Sequence, residues 1–381
     1  MEEIISQITS FADTVKGSER KAFITALRTT SISLETPDET LERVAVAPLE
    51  LCGAKMGLDL KVFKFLSSKD SPQTLDSLTE TTGADRRLLA RVLRYLASMK
   101  MIDQPEAEVF TANNVTRALD SPKGENFVEA YYQVLTPIFY ELPKYLAKSS
   151  YADPAGCAKL PFHEVTNWQG DPFAYSDAFP EKGELFDKHM AFCGNNLTNW
   201  ANLYALMDKQ VAPDDVLFVD VAGGLGHQGA RLRAQYPDLQ GRMIVQDRQR
   251  VIDAPTTAEG VERMVHDIFQ PQPVKGAKFY YIRGVLHDWP DAKCQEILQH
   301  IVDAMDSNST VVIDEFVLPE TNAQPYATSM DMLMLASLGA EERAGSRWEE
   351  LLKSTGLKVV DIKPHRDGEY ASLIVAVKEA L

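Results

Sequence analysis

From Val216 onward, short apolar segments rich in β-branched residues alternate with segments long enough to hold helices. Seven such segments read as strands: LFVDVA, MIVQD, RMVHD, KFYYIR, TVVIDE, LKVVDI and SLIVAVK. Only PHRDGEYA separates the last two. That gap is too short for a parallel crossover, and its Asp367-Gly368 pair favours a tight turn. The sequence therefore predicts an α/β, Rossmann-like open sheet of seven strands, in which the first six can be parallel and the last is antiparallel.

A glycine-rich turn follows the first of these strands. Asp220 ends the strand, and Gly223, Gly224 and Gly226 come next in VLFVDVAGGLGHQG. Glycines let the backbone approach a ligand closely, and the helix that follows directs free N–H groups towards it. The second strand ends in Asp247, and an acid at that place suits a ribose diol. The turn therefore indicates a nucleotide-like cofactor; the alternative is a tight loop without a ligand.

The strand count selects among such cofactors. The dinucleotide-binding fold has six strands and a G-x-G-x-x-G turn, whereas this chain has seven strands and the compact spacing D-x-x-G-G-x-G. S-adenosylmethionine has no pyrophosphate but carries an ammonium and a carboxylate. An acid beside the glycines can take up the ammonium charge. The pattern therefore favours S-adenosylmethionine over NAD.

Composition limits the possible partners and the compartment. The 381 residues include 39 basic and 55 acidic side chains, for a net charge of −16, which repels nucleic acid and anionic membranes. MEEIISQITSFADTV is not a signal peptide, and no apolar run is long enough to span a bilayer. The four cysteines are far apart and form no CxxC: Cys52, Cys157, Cys193 and Cys294. We therefore expect no nucleic-acid or membrane partner, no disulfide framework or zinc site, and a reducing compartment, the cytoplasm.

The first 120 residues have helical periodicity. A short helix, a turn at Thr82-Gly83 and a second helix from Asp85 precede MID and VFTA, which read as two short strands. This is a helix-turn-helix followed by a wing. One face of the second helix is predicted to be apolar through Leu88, Leu89, Val92, Leu93 and Leu96. Because the chain is acidic, the segment is predicted to be a scaffold or dimerisation module and not a DNA-binding one.

His287 and Asp288 lie between the buried strand YYIR and a helix that starts near Pro290. Ligands bind at the carboxyl edge of such sheets, and a histidine there can remove a proton from a hydroxyl. The alternative is a loop histidine that makes only local hydrogen bonds.

Two further acids come at comparable places. Glu315 follows the strand TVVID, and Glu342 lies in GAEERAGSRW just before a helix. A carboxylate beside Nδ1 of His287 would fix the tautomer of the ring and stabilise the imidazolium. The alternative for either glutamate is a charge at a helix N-terminus or on a solvated loop, and the charged neighbours of Glu342 favour that alternative there.

Taken together, these motifs resemble plant- and fungal-type S-adenosylmethionine-dependent O-methyltransferases. VDVAGGLGHQG, VQD, HDIF, YYIRGVLHDWPDAKC, DEFVLP and EERAGSRWEELL occur in the family's order and spacing, from about residue 45 to the C-terminus. The resemblance implies a homodimer built through the N-terminal domain. It divides the chain into an N-terminal helical extension (1–45), a winged-helix dimerisation domain (46–120), a helical linker and substrate-pocket region (121–210) and an S-adenosylmethionine-binding methyltransferase domain (211–381).

The resemblance also implies a role for each site residue. Asp220, Gly223, Gly224 and Gly226 would border the methionine and ribose portions of S-adenosylmethionine, and Asp247 would bind the ribose hydroxyls. Asp267 and Phe269 of HDIF would face the adenine, and Arg283 would approach the methionine carboxylate. His287, next to Asp288, would be the general base, oriented by Glu315 and Glu342. The chain departs from the family at Ala222, where glycine is frequent, and at Ala344, where threonine is frequent.

The predicted reaction is methylation of a phenol or enol hydroxyl on a small, polyketide- or alkaloid-like secondary metabolite, without a metal. We expect the acceptor pocket between the two domains. Its candidate lining residues, which can equally be plain core, are Phe186, Met190, Phe192, Met330, Leu333 and Met334. The rival function is a methyltransferase-like pericyclase or dehydratase that keeps the cofactor without transferring its methyl group. A third class is a non-catalytic winged-helix dimer that binds a small effector.

Overall fold

The structure is a computed structural model that describes residues 1–193, 211–256, 258–365 and 370–379. The described part of the chain forms two compact units. The first takes Met1–Tyr140 and Phe173–Gly194, and the second takes Glu141–Pro172 and Asn195–Leu381. The four-part division of the sequence stays a prediction. No helix among the described residues combines the length and the apolar content needed to cross a membrane.

The first unit is mainly helical. Its helices begin with α1 (Glu2–Thr14), α2 (Gly17–Leu34), α3 (Pro37–Val46), α4 (Pro48–Asp59), α5 (Val62–Ser67), α6 (Leu75–Thr82), α7 (Arg86–Ser98), α8 (Asn114–Leu119) and α9 (Pro122–Ala130). Its strands are β1 (Gln73–Thr74), β2 (Asp103–Glu106) and β3 (Val109–Thr111). A π-helical turn, Tyr131–Leu135, leads into α10 (Thr136–Lys148), whose first five residues are the last of this stretch of the first unit. Helix α11 (Pro161–Thr166) belongs to the second unit, and α12 (Pro172–Ala178), from its second residue, and α13 (Pro180–Cys193) belong to the first.

The helix-turn-helix lies where the sequence predicts it. Gly83 ends α6 in the left-handed conformation, with φ of +66°, and the Asp85 side chain caps α7 by accepting the N–H of Leu88 at 2.9 Å. The predicted apolar face is right for four of its five residues and wrong for Leu88, which is 54% exposed. Leu88 lies in the first turn of α7, where its side chain projects towards solvent, whereas Leu89 and the later apolar residues of the face are buried.

The wing is a three-stranded sheet in the order β1-β3-β2. The predicted strand MID is displaced, because pairing begins only at Asp103, and β1 was not predicted at all. Met101 and Ile102 are buried in the core of the first unit, and this burial explains their apolar character without strand pairing.

The second unit contains the predicted seven-stranded sheet. Its strands are β4 (Val216–Val221), β5 (Arg242–Asp247), β6 (Glu262–Val265), β7 (Phe279–Arg283), β8 (Thr310–Phe316), β9 (Leu357–Pro364) and β10 (Ala371–Lys378), in the order β6-β5-β4-β7-β8-β10-β9. Strand β10 is antiparallel to both of its neighbours, and the other pairs are parallel. The predicted fold class and direction of the last strand are confirmed. The helices of this part are α14 (His227–Gln235), α15 (Gln249–Asp253), α16 (Asp291–Val302), α17 (Pro325–Leu338) and α18 (Gly345–Ser354).

The two faces of this sheet carry separate cores. Phe218, Tyr281 and Val312 belong to one apolar cluster, and the alternate positions Val219, Ile282 and Ile313 belong to the other. The same alternation continues to the carboxyl end of β8. There, the side chains of two consecutive acids, Asp314 and Glu315, lie on opposite faces of the sheet.

Candidate active site

The glycine turn after β4 is tied to β5. The N–H of Gly223 donates to the carbonyl of Gln246 at 3.0 Å, and the N–H of Gly224 donates to Oδ2 of Asp247 at 2.8 Å. Gly224 and Gly226 have φ of +62° and +82°, where glycine carries no steric penalty. The turn is therefore held at the carboxyl edge of two adjacent strands, as the sequence predicts for a cofactor site.

Asp220 is the penultimate residue of β4, and its environment suits a cationic ligand. Its side chain is buried, and neither carboxylate oxygen has a hydrogen-bond partner among the described residues. A Cβ on Gly223 would lie 2.3 Å from Cγ of Asp220, so only glycine leaves room beside this carboxylate. Burial raises the pKa of Asp220 to about 8. An ammonium group fits these unsatisfied acceptors in charge and in hydrogen-bonding capacity.

Ala222 adopts a left-handed conformation, with φ of +54°, at the position where the family often has glycine. We expect Ala222→Gly to change the unfolding free energy by less than about 1 kcal/mol, because relief of this strain is offset by the greater freedom of glycine in the unfolded chain. Gly223→Ala is the matched opposite change, and its clash with Asp220 should lower cofactor affinity severely. Thermal unfolding with and without S-adenosylhomocysteine measures both variants. A large loss of stability in Ala222→Gly would contradict the assignment of strain.

The other predicted cofactor residues differ in their surroundings. Asp247 accepts the N–H groups of Gly224 and Arg248, each at 2.8 Å, and burial raises the pKa of its carboxyl group. Asp267 is exposed and accepts the N–H of Phe269 at 3.0 Å, so it shapes its own loop. The ring of Phe269 meets Trp289 edge to face at 4.8 Å. The structure therefore joins Asp247 to the glycine turn but shows no contact between Asp267 and that turn.

Arg283 ends β7, the strand next to β4. Its Nε lies 3.5 Å from Oδ2 of Asp314 and makes no hydrogen bond among the described residues. Burial alone would lower the pKa of Arg283, but nearby acidic groups, Asp314 and Asp220 among them, raise it. The side chain is therefore a cation with donor capacity to spare, as a carboxylate-binding residue requires.

His287 lies in a short 3₁₀ turn, Leu286–Asp288, and three acids surround its ring. Nδ1 is 2.8 Å from Oε1 of Glu342 and 3.6 Å from Oε2 of Glu315, and Nε2 is 3.5 Å from Oδ1 of Asp288. Glu342 thus makes the hydrogen bond to the imidazole. The solvated-loop alternative is wrong for Glu342, which is buried, and for Glu315, which accepts the N–H groups of Val285 and Leu286 at 2.9 Å.

The charge of this cluster favours the imidazolium. Burial alone would lower the pKa of His287, but the charges of Glu315, Asp288 and Glu342 raise it well above its ordinary value of 6.5. Burial also raises the pKa of Asp288 to about 7 and that of Glu315 above its usual range.

Two residues that the sequence reasoning missed hold this cluster in place. Arg343 is 1% exposed, and its guanidinium donates to the carbonyls of Leu286 at 2.9 Å and Trp289 at 2.8 Å. Asp331 on α17 accepts the N–H of Glu342 at 2.9 Å. The only sequence signal for Arg343 is its place between the acids and the helix of EERAGSRW, which also suits an exposed charge.

One donor atom from each of His287, Glu315 and Glu342 lies within 4.8 Å of the others, a set that could hold a metal ion. The expectation of metal-free chemistry therefore stays a prediction. Because Nδ1 of His287 is hydrogen-bonded to Oε1 of Glu342 and Oε1 of Glu315 accepts two backbone N–H groups, we expect product formation after exhaustive treatment with EDTA to equal that of untreated protein. A loss that Mg²⁺, Mn²⁺ or Zn²⁺ restores would contradict this.

The predicted acceptor residues fall in both units. Met330, Leu333 and Met334 lie on α17, which packs against the turn that carries His287. Leu333 is buried, and the two methionines are half-buried. Phe186, Met190 and Phe192 lie on α13 in the first unit, where Phe186 and Met190 are exposed and Phe192 is half-buried. The assignment of all six to an acceptor pocket stays a prediction.

Comparison with protein families adds to this geometry. Residues 204–358 match an O-methyltransferase domain, and residues 54–120 match an O-methyltransferase dimerisation domain. The chain is 44% identical to O-methyltransferase ucdC of Aspergillus ustus over 378 residues, which cover 99% of this chain and 100% of the relative.

A second relative and two solved structures are also similar to this chain. O-methyltransferase lepI of Aspergillus flavus is 36% identical over 342 residues, covering 88% of each chain. The structure of LepI in complex with S-adenosylmethionine aligns with a TM-score of 0.90 at 32% identity, over 99% of this chain and 98% of that one. A solved structure of a pericyclic reaction enzyme aligns equally well, with a TM-score of 0.90 at 32% identity and 99% coverage of both chains.

Proposed function

This chain belongs to the S-adenosylmethionine-dependent O-methyltransferase family of fungal secondary metabolism, and from that premise we propose that it methylates a phenol or enol hydroxyl of a small secondary metabolite with His287 as the general base. The observation that carries the proposal is the hydrogen bond of 2.8 Å between Nδ1 of His287 and the buried carboxylate of Glu342. With Nδ1 committed as a donor, the neutral ring presents Nε2 as the acceptor for a substrate proton.

The cofactor would be held by residues at the ends of β4, β5 and β7. Asp220 would take the ammonium group, Arg283 the carboxylate and Asp247 the ribose hydroxyls, while Gly223 keeps the space beside Asp220 clear. When bound, S-adenosylmethionine supplies an electrophilic methyl group on a sulfonium. Asp267 and Phe269 remain our proposal for the adenine side.

Each of the three acids around His287 has a different role. Glu342 orients the ring through Nδ1, and Glu315 fixes the turn through the N–H groups of Val285 and Leu286. Asp288 approaches Nε2 and can share the proton that the ring removes from the acceptor. Positioning and proton removal then carry most of the catalysis, because the methyl donor is already activated.

The test is transfer of label from methyl-labelled S-adenosylmethionine to phenolic or pyridone acceptors, with product mass measured in parallel. We expect a labelled product whose mass has increased by one methyl group in place of one hydrogen. Product of unchanged mass, or product formed with loss of water and without label, would contradict methylation.

A pericyclase or dehydratase is the second candidate, and two observations favour it. The pericyclic reaction enzyme has the same fold, and the acids around His287 favour the imidazolium, which suits the donation of a proton. In that reaction the bound cofactor would contribute positive charge and keep its methyl group.

The pH dependence separates the two reactions. A general base must be neutral, so we expect the methylation rate to rise with pH, with a midpoint above 6.5 because the acids raise the pKa of His287. Glu342→Gln removes one of these acids, so its midpoint should shift to lower pH. A rate that instead falls as pH rises through this range would identify the imidazolium as the active form and favour the second candidate.

We also propose that the chain acts as a homodimer through the first unit. The support is the match to a dimerisation domain at residues 54–120 and the exposure of large apolar side chains on α1 to α3, among them Ile4, Phe11, Leu34 and Leu41. Light scattering after size-exclusion chromatography measures the mass. The cytoplasmic location and the absence of nucleic-acid partners stay predictions.

A further inference from the structure

A buried polar unit lies on the sheet face opposite His287 and takes no part in the acid–base chemistry. Tyr281 on β7 and His365, just after β9, both contact Asp314 at the end of β8. The Tyr281 hydroxyl is 2.5 Å from Oδ2 of Asp314, and Nε2 of His365 is 2.7 Å from Oδ1. Tyr281, His365 and Asp314 are 0%, 1% and 4% exposed, respectively. Burying such a unit costs free energy, so its placement calls for a reason.

The protonation of this unit follows from its geometry. Burial opposes ionisation of Asp314, but the hydrogen bond and charge of His365 and the charge of Arg283 hold the pKa of Asp314 below its ordinary value. An ionised carboxylate only accepts hydrogen bonds, so the Tyr281 hydroxyl and the Nε2–H of His365 donate to it. Asp314 is thus a fixed negative charge that two donors hold in one orientation.

This fixed charge lies beside the proposed cofactor residues. Oδ2 of Asp314 is 3.5 Å from Nε of Arg283, and Arg283 and Asp314 are partners in the parallel register of β7 and β8. Asp220 is paired in register with Tyr281 on the other side of β7, so one sheet face carries two acids and the Arg283 cation. If Asp314 were turned away, Arg283 would be free to pair with Asp220.

We propose that Tyr281 and His365 are positioning residues that hold Asp314 against Arg283, and that this pairing reserves Asp220 for the ammonium group and Arg283 for the carboxylate of the cofactor's amino-acid portion. The inference rests on the roles that the proposed function gives to Asp220 and Arg283. It explains why, among the residues that the structure describes, neither oxygen of Asp220 has a hydrogen-bond partner although a cation lies on the same face.

The test compares two ligands by isothermal titration calorimetry on the full chain. S-adenosylhomocysteine has the amino-acid portion, and 5′-methylthioadenosine has the same adenosine and sulfur without it. In Tyr281→Phe and His365→Leu, we expect the Kd for S-adenosylhomocysteine to rise about tenfold and that for 5′-methylthioadenosine to change less than about twofold. His365→Gln retains a donor and should recover part of the loss.

Tyr280→Phe is the matched control. Tyr280 is equally buried on the opposite face of β7 and donates to the carbonyl of Val274 at 2.8 Å, so its removal should leave both affinities unchanged. Equal weakening of both ligands in Tyr281→Phe, or no weakening of either, would overturn the inference. Because Tyr281→Phe conserves volume, it tests the idea even if His365→Leu does not fold. Label transfer by the unmodified chain tests the proposed function separately, so either can fail alone.

Discussion

Replacing His287 with glutamine should lower the rate of methyl transfer about 10²- to 10⁴-fold, the usual contribution of a positioned general base. Glutamine has similar reach, but its amide cannot take a proton at neutral pH. S-adenosylhomocysteine affinity should stay close to that of the unmodified chain, since the proposed cofactor residues lie elsewhere at the sheet edge. Single-turnover kinetics with labelled cofactor measures the chemical step directly.

The effect of His287→Gln on folding stability must be measured separately from its effect on the rate of methyl transfer. His287→Gln leaves Glu315 and Glu342 buried without their cation, so we expect a lower Tm. Adding Glu342→Gln removes one of the two charges and should recover much of the Tm but none of the activity. His300→Gln, on α16 of the same unit, is the control histidine and should retain full activity. Near-normal methyl transfer by the double variant would remove His287 from the mechanism.

The second large effect is expected for Asp220→Asn. It removes the charge that would pair with the ammonium group, and loss of one member of such a buried pair costs about 2–5 kcal/mol of binding free energy, or roughly 30-fold to more than 10³-fold in Kd. The same variant without ligand should unfold at a higher temperature. The carboxylate is buried without a hydrogen-bond partner among the described residues, and asparagine carries no charge to desolvate.

The Tm difference between Asp220→Asn and the unmodified chain should depend on pH. Burial raises the pKa of Asp220 from 3.8 to about 8 in the folded chain, so the stabilising contribution of its protonated form is complete below pH 3.8 and is lost as pH rises through about 8. The Tm advantage of Asp220→Asn should therefore grow between pH 6 and pH 8 and level off above that. Asp238→Asn, at an exposed position, should show no such trend. A constant difference across this range would mean that Asp220 is ionised throughout.

Much of the fold could be predicted from the sequence because its signals are local. Most of the seven strands contain runs of adjacent apolar residues, and the short gap between β9 and β10, with its Asp367-Gly368 pair, indicates their antiparallel direction. The glycines and acids at strand ends indicated the carboxyl edge, where the structure joins Gly224 to Asp247 and His287 to Glu342. The misplaced wing strand shows the limit of this reasoning, because Met101 and Ile102 are apolar for reasons of burial and not of pairing.

Contacts between distant segments could not be predicted in this way. Glu342 is 55 positions from His287 and adjoins the charged Glu341 and Arg343, so its sequence surroundings resemble those of a solvated loop. Only the folded chain shows that Arg343 turns inward to two carbonyls. The contact of His365 with Asp314 is equally invisible, because it passes across β10 in the sheet and joins residues 51 positions apart.

The adjacency of Asp314 and Glu315 has a consequence for how this enzyme can be altered. Asp314 is proposed to hold Arg283 and therefore belongs to the methyl-donor side of the site. One peptide unit, about 3.8 Å between Cα atoms, joins it to Glu315, which supports the proton-acceptor side. Covalent bonds therefore set the spacing between the two halves of the reaction, and pairing of β8 with β7 and β10 locks it. Exchanging loops can change which substrate is accepted while the spacing between Asp314 and Glu315 stays constant. Inserting a single residue into β8, in contrast, should disable the methyl-donor side and the proton-acceptor side together.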